Sequence, residues 1–206
     1  MEESVTEKKQ PVFSEVICYC NNEFQHLSYH QERVDRTVAT FQLPPIQLSR
    51  LLACSESRLG RFKCRVVYSF AAPTVSLLPY TLPHIEGAAL IDGGNIDYSF
   101  KYADRSELNH LKALAGEREP VIVIDGELTD SSFCNLVFES REGLFTPSRC
   151  LLAGTRRQIL LDRGEIAERR IGVDDLAAYD RVYFINAMIG IEDSVSVAVP
   201  DIRSLL

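Results

Sequence analysis

No apolar run in this chain is long enough to cross a bilayer: the longest, such as ILL at 159–161 and VIVI at 121–124, fall far short of the ~20 residues a spanning helix needs. The opening MEESVTEKKQ is charged and lacks the apolar core of a secretion signal, so it reads as a disordered tail over residues 1–11. A basic stripe is missing too. The net charge is −7, and EKK near the start and TRR at 155–157 are too short to grip nucleic acid. The six cysteines (18, 20, 54, 64, 134 and 150) form no CxxC pair and lie mostly in apolar, strand-like runs, which favours free thiols in a reducing cytoplasm. Cys18 and Cys20 share a strand face, but only His26 and His30 lie nearby, so no metal is expected. Repeats and low-complexity tracts are absent. With 46% hydrophobic and 25% charged residues, the chain can bury a core, and disorder is not the default.

What is present reads as α+β in two lobes. VFSEVICYC alternates as a strand, and LSYHQERVDRTVATF carries Val34, Val38 and Phe41 at helical spacing, with Ser28 as N-cap. PPIQLSRLLACSES predicts a shorter helix, and RFKCRVVYSFAAPTVSLLPYTL two strands parted by Ala-Pro. A small N-terminal lobe over 12–85 results, followed by linker and strand over 86–100. A larger lobe over 101–206 opens with a helix at 104–115. It continues through strands with turns at Asp125-Gly126 and Glu142-Gly143, a helix in GTRRQILLDRG, a strand in EIAERRI, a short helix in GVDDLAAYD and two closing strands. A crevice between two lobes is a favoured ligand site.

Four places carry chemistry, each beside a plainer reading. Lys101 follows the alternating run IDYSF, where a lysine alone would snorkel to solvent. Asp130 in GELTDSSFCNLVF stands at the start of a strand-like stretch, flanked by Ser131, Ser132 and Asn135, or else is a solvated turn residue. Gly154-Thr155-Arg156 opens a helix whose free N–H groups could seat a phosphate, or is an ordinary helix start. Asn186-Ala187 interrupts the apolar strand of FINAMIG, as a crevice lining or as a bulge or turn. Together they supply an amine nucleophile, an acid, an anion seat and a tight backbone site. A phosphorylated aldehyde asks for that set: the amine forms a Schiff base, the acid pairs with a pyridinium nitrogen, and the helix start holds phosphate.

On these residues the chain resembles the class IV aminotransferase-like family, the fold-type IV pyridoxal 5'-phosphate (PLP) enzymes. The resemblance runs in the family's order over nearly all the chain after residue 12. LSYHQERVDRT is similar to the His-x-x-Arg helix, which implies that Arg33 contacts the cofactor phosphate. FKYADR resembles the Schiff-base segment and makes Lys101 the catalytic lysine. GELTDSSFCNLVF brings Asp130 to the pyridine nitrogen. LFTP…LLAGTRRQIL is similar to the Thr-Pro turn and phosphate-binding helix start, so Thr155 and Arg156 bind phosphate chiefly through backbone N–H. VYFINAMIGI puts Ala187 at the cofactor and Asn186 at the substrate. The fold implied is D-amino acid aminotransferase-like, shortened, and relatives are homodimers.

The sequence departs from the family's pattern at several points. Asp130 stands where glutamate is usual, and the Phe-Glu-Thr opening strand appears as Ser14-Glu15-Val16. Asn-Ala-Met at 186–188 and Lys-x-x-Asp-Arg at 101–105 are closer to aminodeoxychorismate lyase than to branched-chain aminotransferases, whose tyrosine after the lysine is replaced by Ser106. The resemblance therefore implies elimination of pyruvate to leave p-aminobenzoate for folate synthesis. An aminotransferase on a branched-chain or D-amino acid, or a PLP-binding protein without turnover, stands as the alternative.

Overall fold

The computed structural model describes residues 10–53 and 59–206, built on two sheets. Residues 1–9 of the expected tail, Cys54 and the end of the PPIQLSRLLACSES stretch lie outside the described residues. In the first sheet, β1 (Phe13–Cys20), β2 (Glu23–Phe24), β3 (Arg61–Tyr68) and β4 (Thr74–Pro79) lie antiparallel in the order β2-β1-β3-β4. Strand periodicity divides its faces. Phe13, Ile17, Cys64, Val66 and Tyr68 bury one face against Val34 of α1 (Leu27–Phe41) and Leu48 of α2 (Leu48–Leu51). Val16, Cys18 and Cys20 turn the other face toward the second sheet.

The helix α1 begins before Ser28. Gln25 N–H bonds Cys18 O at 2.8 Å, so the hairpin after β1 already turns the chain into the helix. His26 in the left-handed region is the N-cap, and no side chain caps it. Among the described residues of the expected second helix, four form α2, where Leu48 N–H donates to Gln31 Oε1.

The second sheet contains β5 (Ala88–Asp92), β6 (Glu119–Ile124), β7 (Glu127–Ser131), β8 (Asn135–Ser140), β9 (Gly143–Pro147), β10 (Ala167–Arg169), β11 (Arg181–Ile185), β12 (Ser196–Ala198) and β13 (Ile202–Ser204). Seven of them run in the order β10-β9-β8-β7-β6-β5-β13, while β11 pairs with both β8 and β12. α3 (Ser106–Leu114) connects the parallel pair β5 and β6 and buries Leu108 and Leu111 with Ile122 and Ile124. The turn between β6 and β7 has positive φ at Asp125 (52°) and Gly126 (77°), the geometry that Asp-Gly supplies in a two-residue hairpin. Thr146-Pro147 ends β9 rather than forming a turn, because its strand pairs with β10. α4 (Thr155–Asp162) follows, and GVDDLAAYD forms a 3₁₀ helix at Val173–Ala178.

Among the described residues no helix is long and apolar enough to cross a membrane. The five described cysteines are free; Cys18, Cys64 and Cys134 are buried. One cavity of about 410 Å³ opens between the two sheets.

Candidate active site

Period-two alternation aims Lys101. The chain from Phe100 to Ala103 runs beside β1, with Ser14 N–H bonding Lys101 O at 2.9 Å and Ala103 N–H bonding Val12 O at 2.7 Å. Because this stretch is extended, α3 begins at Ser106 and not at 104. Phe100 and Tyr102 join Phe13 and Phe41 in an aromatic cluster, with ring centroids 4.9 Å apart for Phe41–Phe100 and 5.3 Å for Phe13–Tyr102. Such contacts add ~0.5–1.5 kcal/mol each beyond burial and fix the backbone on either side of the lysine. The side chain between them lines the cavity instead of snorkelling to solvent. Burial, then the Arg33 charge, lowers its pKa from 10.5 to about 7 against the opposing pull of Glu15. An amine in that range is partly neutral, and so nucleophilic, near pH 7.

Arg33 reaches the same cavity from α1, but held by a partner that local sequence did not reveal. Its Nε and Nη2 donate to Glu15 Oε1 and Oε2 at 2.8 and 2.6 Å, and His30 Nδ1 lies 2.7 Å from Oε2. All three side chains are buried, Glu15 completely. Burial alone would raise the Glu15 pKa, yet the Arg33 charge and the hydrogen bonds from His30 and Arg33 bring it down to about 2. For His30 burial wins and lowers the pKa, so the ring is neutral at pH 7 and Nδ1 carries the proton shared with the carboxylate. The third nitrogen of Arg33, Nη1, has only a 3.4 Å contact to Ala153 O and keeps donor capacity for an anion.

Asp130 lies near the end of β7, opposite Asn135 of β8. It is 4% exposed, so the solvated-turn reading fails. Its Oδ1 accepts from Asn135 Nδ2 at 2.8 Å and its Oδ2 from Leu152 N–H at 2.9 Å. These bonds favour the anion, but burial outweighs them and raises the pKa to about 6. Asn135 also donates to Leu152 O at 2.9 Å. Gly154 packs so close that an added Cβ would collide with the Asn135 amide, which explains a glycine at this N-cap despite its ordinary φ of −73°.

No side chain caps α4, so the N–H groups of its first turn lack intrahelical acceptors. Gly154 and Thr155 line the cavity. The Arg156 side chain does not: its Nη1 lies 3.9 Å from Glu192 Oε1 and its buried Nε has no hydrogen-bond partner among the described residues, leaving only backbone N–H for the expected contact. Arg157 is absorbed by structure, bonding Pro147 O at 2.9 Å and Glu168 at 2.6 Å.

Asn186 and Ala187 line the cavity from a tight turn, in which Asn186 and Ile189 exchange two backbone bonds at 3.0 Å. The Asn186 side chain is engaged with Met188 N–H at 2.8 Å and with Cys134 Sγ at 3.1 Å. Arg61 Nη1 donates to Met188 O at 3.0 Å, fixing this turn to β3. Arg33, Lys101, Asp130, Thr155, Asn186 and Ala187 thus surround one cavity. Asn135 and Gly154 stood in the motifs beside Asp130 and Thr155, and Glu15 in the opening strand, but the sequence did not show the contacts by which they support the site; only the alternation of β1 hinted at a buried position for Glu15.

These residues fit a phosphorylated pyridine aldehyde. An amine near neutral pKa, a buried carboxylate with lone pairs to spare, an arginine nitrogen with free donors and an uncapped helix start face one space. Arg33 and the Thr155–Arg156 backbone would hold the phosphate, Asp130 the ring nitrogen, and Lys101 the aldehyde carbon.

The model of the amino-transferase class IV family matches residues 13–193. An uncharacterized protein of Haemophilus influenzae is 32% identical over 191 residues, covering 88% of this chain and 99% of its own. A solved structure from Haemophilus somnus 129PT, provisionally named 4-amino-4-deoxychorismate lyase, is 32% identical with a TM-score of 0.83, covering 88% of this chain and 98% of its own. A hypothetical aminotransferase of Mycobacterium tuberculosis in its PLP-bound form shares the fold at a TM-score of 0.70 and 17% identity, covering 93% of this chain and 81% of its own.

Proposed function

The chain belongs to the class IV aminotransferase family, with its mixed α+β fold-type IV architecture, and from that premise we propose that it is a PLP-dependent enzyme of the aminodeoxychorismate lyase type. The observation that carries the cofactor reading is the convergence of Lys101, Asp130 and the uncapped start of α4 on one cavity. The lyase reading is supported by 32% identity to the Haemophilus somnus protein over nearly all of that chain.

In this proposal PLP, when bound, supplies an electron sink for the pair left as a bond breaks at the substrate's amine-bearing carbon. Lys101 Nζ would take the proton from that carbon; as the C–O bond on the neighbouring carbon breaks, the ammonium, with a pKa of about 7, can pass a proton to the methylene carbon of the departing enolpyruvate, which leaves as pyruvate. Asp130 holds a proton at the ring nitrogen; its own elevated pKa reflects a buried carboxyl that gains from a cationic partner. Arg33 and the first turn of α4 bind the phosphate, Glu15 keeps the guanidinium in place, and Asn186 shapes the wall where substrate lies. A homodimer belongs to the same reading, and Val75 and Leu78 on the edge strand β4 are exposed as such an interface requires.

The test is to add PLP, remove the excess, and record the visible spectrum of wild type and Lys101→Ala. A retained band in the wild type that the variant lacks is expected, followed by release of pyruvate and p-aminobenzoate from 4-amino-4-deoxychorismate. No retained band overturns the cofactor reading. Exchange of amino groups between amino and keto acids, without pyruvate release, replaces the lyase by an aminotransferase.

A further inference from the structure

Three cations follow one another on a single face of β3: Arg61, Lys63 and Arg65, with Cys64 and Val66 buried on the other. The first is neutralised, its guanidinium bonding both oxygens of Asp193 at 2.9 and 3.0 Å. Lys63 and Arg65 both line the cavity, and among the described residues neither has a carboxylate within ion-pair distance. Arg105 joins them from the segment after Lys101, its Nη2 anchored on Ser132 O at 2.7 Å and likewise without a carboxylate. The three are close enough that the charges of Arg65 and Arg105, after burial, lower the Lys63 pKa. Like charges held together cost stability unless an anion comes between them. With Arg33, which Glu15 pairs from behind, and Lys101 the wall has five basic side chains, against one lining carboxylate among the described residues, Asp130, in a chain whose net charge is −7.

Cofactor binding cannot absorb this excess. On the proposed function the cofactor's phosphate would take Arg33 and the helix start, and Lys101 the aldehyde. A simple amino acid then brings one carboxylate to three remaining cations. We propose that Lys63, Arg65 and Arg105 form an anion clamp that selects substrates carrying at least two carboxylates. Arg65, exposed at the mouth, meets the outer carboxylate; Lys63 and Arg105, deeper, hold the one nearer the reacting carbon. Guanidinium forks suit carboxylates because two parallel N–H groups match two oxygens. Tyr80 and Tyr98 line the same space and suit a planar ring between the two charges. The clamp deepens the proposed function, and its role as a substrate site rests on that reading.

The probes are benzene-1,3-dicarboxylate and benzoate, titrated calorimetrically into both the PLP-loaded and the PLP-free protein. The dicarboxylate is expected to bind at least tenfold tighter than benzoate. Lys63→Gln and Arg65→Gln should each weaken it about tenfold, with ligand-free urea midpoints no lower than wild type, retained PLP absorbance as in wild type, and benzoate binding changed less than threefold. The charge-keeping Lys63→Arg should restore most of the affinity. Equal affinity for the two probes, or dicarboxylate binding untouched by both glutamine variants, overturns the clamp. If no PLP is retained while the selective, charge-dependent binding persists, the cofactor reading falls and the dicarboxylate site stands.

Discussion

Replacing Glu15 by glutamine keeps the side chain's shape and removes the charge on which the buried His30–Glu15–Arg33 group depends. The expected cost follows from two routes. A carboxyl whose pKa drops from 4.5 to about 2 is favoured as the anion in the fold by about 3 kcal/mol, at ~1.36 kcal/mol per tenfold in acidity. Removing one member of a buried ion pair costs ~3–5 kcal/mol, because the other charge stays buried alone. Both figures are large beside a total stability of ~5–15 kcal/mol. In urea, with a slope of about 2 kcal/mol/M, the midpoint should fall by roughly 1.5 M.

The pH dependence gives a second reading of the same group. The folded pKa lies below the unfolded one, so the stabilisation is complete above pH 4.5 and disappears as pH falls toward 2. Wild type and Glu15→Gln should therefore converge in acid. The double variant Glu15→Gln/Arg33→Met should recover stability over Glu15→Gln, since it no longer buries an unpaired cation. Its retained PLP should be lower than wild type, because the phosphate loses its arginine. A midpoint change below about 0.3 M for Glu15→Gln, or a double variant less stable than the single, would refute the reasoning.

Lys101→Met should stabilise the cofactor-free protein by about 1–3 kcal/mol at neutral pH, since the buried ammonium resists folding. The folded pKa of about 7 lies below 10.5, so the penalty is full below pH 7 and fades as pH rises toward 10.5; urea melts at pH 6.5 and 9.5 should give a smaller gain at the higher pH. Gly154→Ala should cost about 1–3 kcal/mol and weaken PLP retention, because its Cβ forces the Asn135 amide away from Asp130; thermal unfolding and the visible band read the two effects. Asp130→Asn should lower turnover by about a hundredfold or more while the protein still folds, measured as pyruvate release at saturating PLP. Light scattering at micromolar concentration should give a dimer mass, and Leu78→Asp on the exposed edge strand should shift it toward the monomer.

Local order was largely legible in the sequence. Alternation in FKYADR sets Lys101 opposite Phe100 and Tyr102, 3.6-residue spacing finds α1, and Asp125-Gly126 fixes its hairpin, because each depends on residues a few positions apart. Helix limits were less legible: Ser28 lost the N-cap to a hairpin contact, and the start of α3 yielded to pairing of residues 100–103 with β1. The state of the ionisable groups was left to tertiary structure. Nothing within GELTDSS says that Asp130 is buried; its surroundings come from Asn135 and Leu152, and burial against them raises its pKa. Nothing in LSYHQERV says that Arg33 is clamped by a carboxylate 18 residues earlier, and nothing in GTRRQ says that the Arg156 side chain turns toward Glu192. The cations of β3 can be counted in the chain, but only folding divides them into one that Asp193 neutralises and two that face a cavity. Periodicity and turn chemistry are short-range and written locally. Burial and Coulomb interaction depend on which distant residues the fold brings together, so the chemistry of the site emerges only with the tertiary structure.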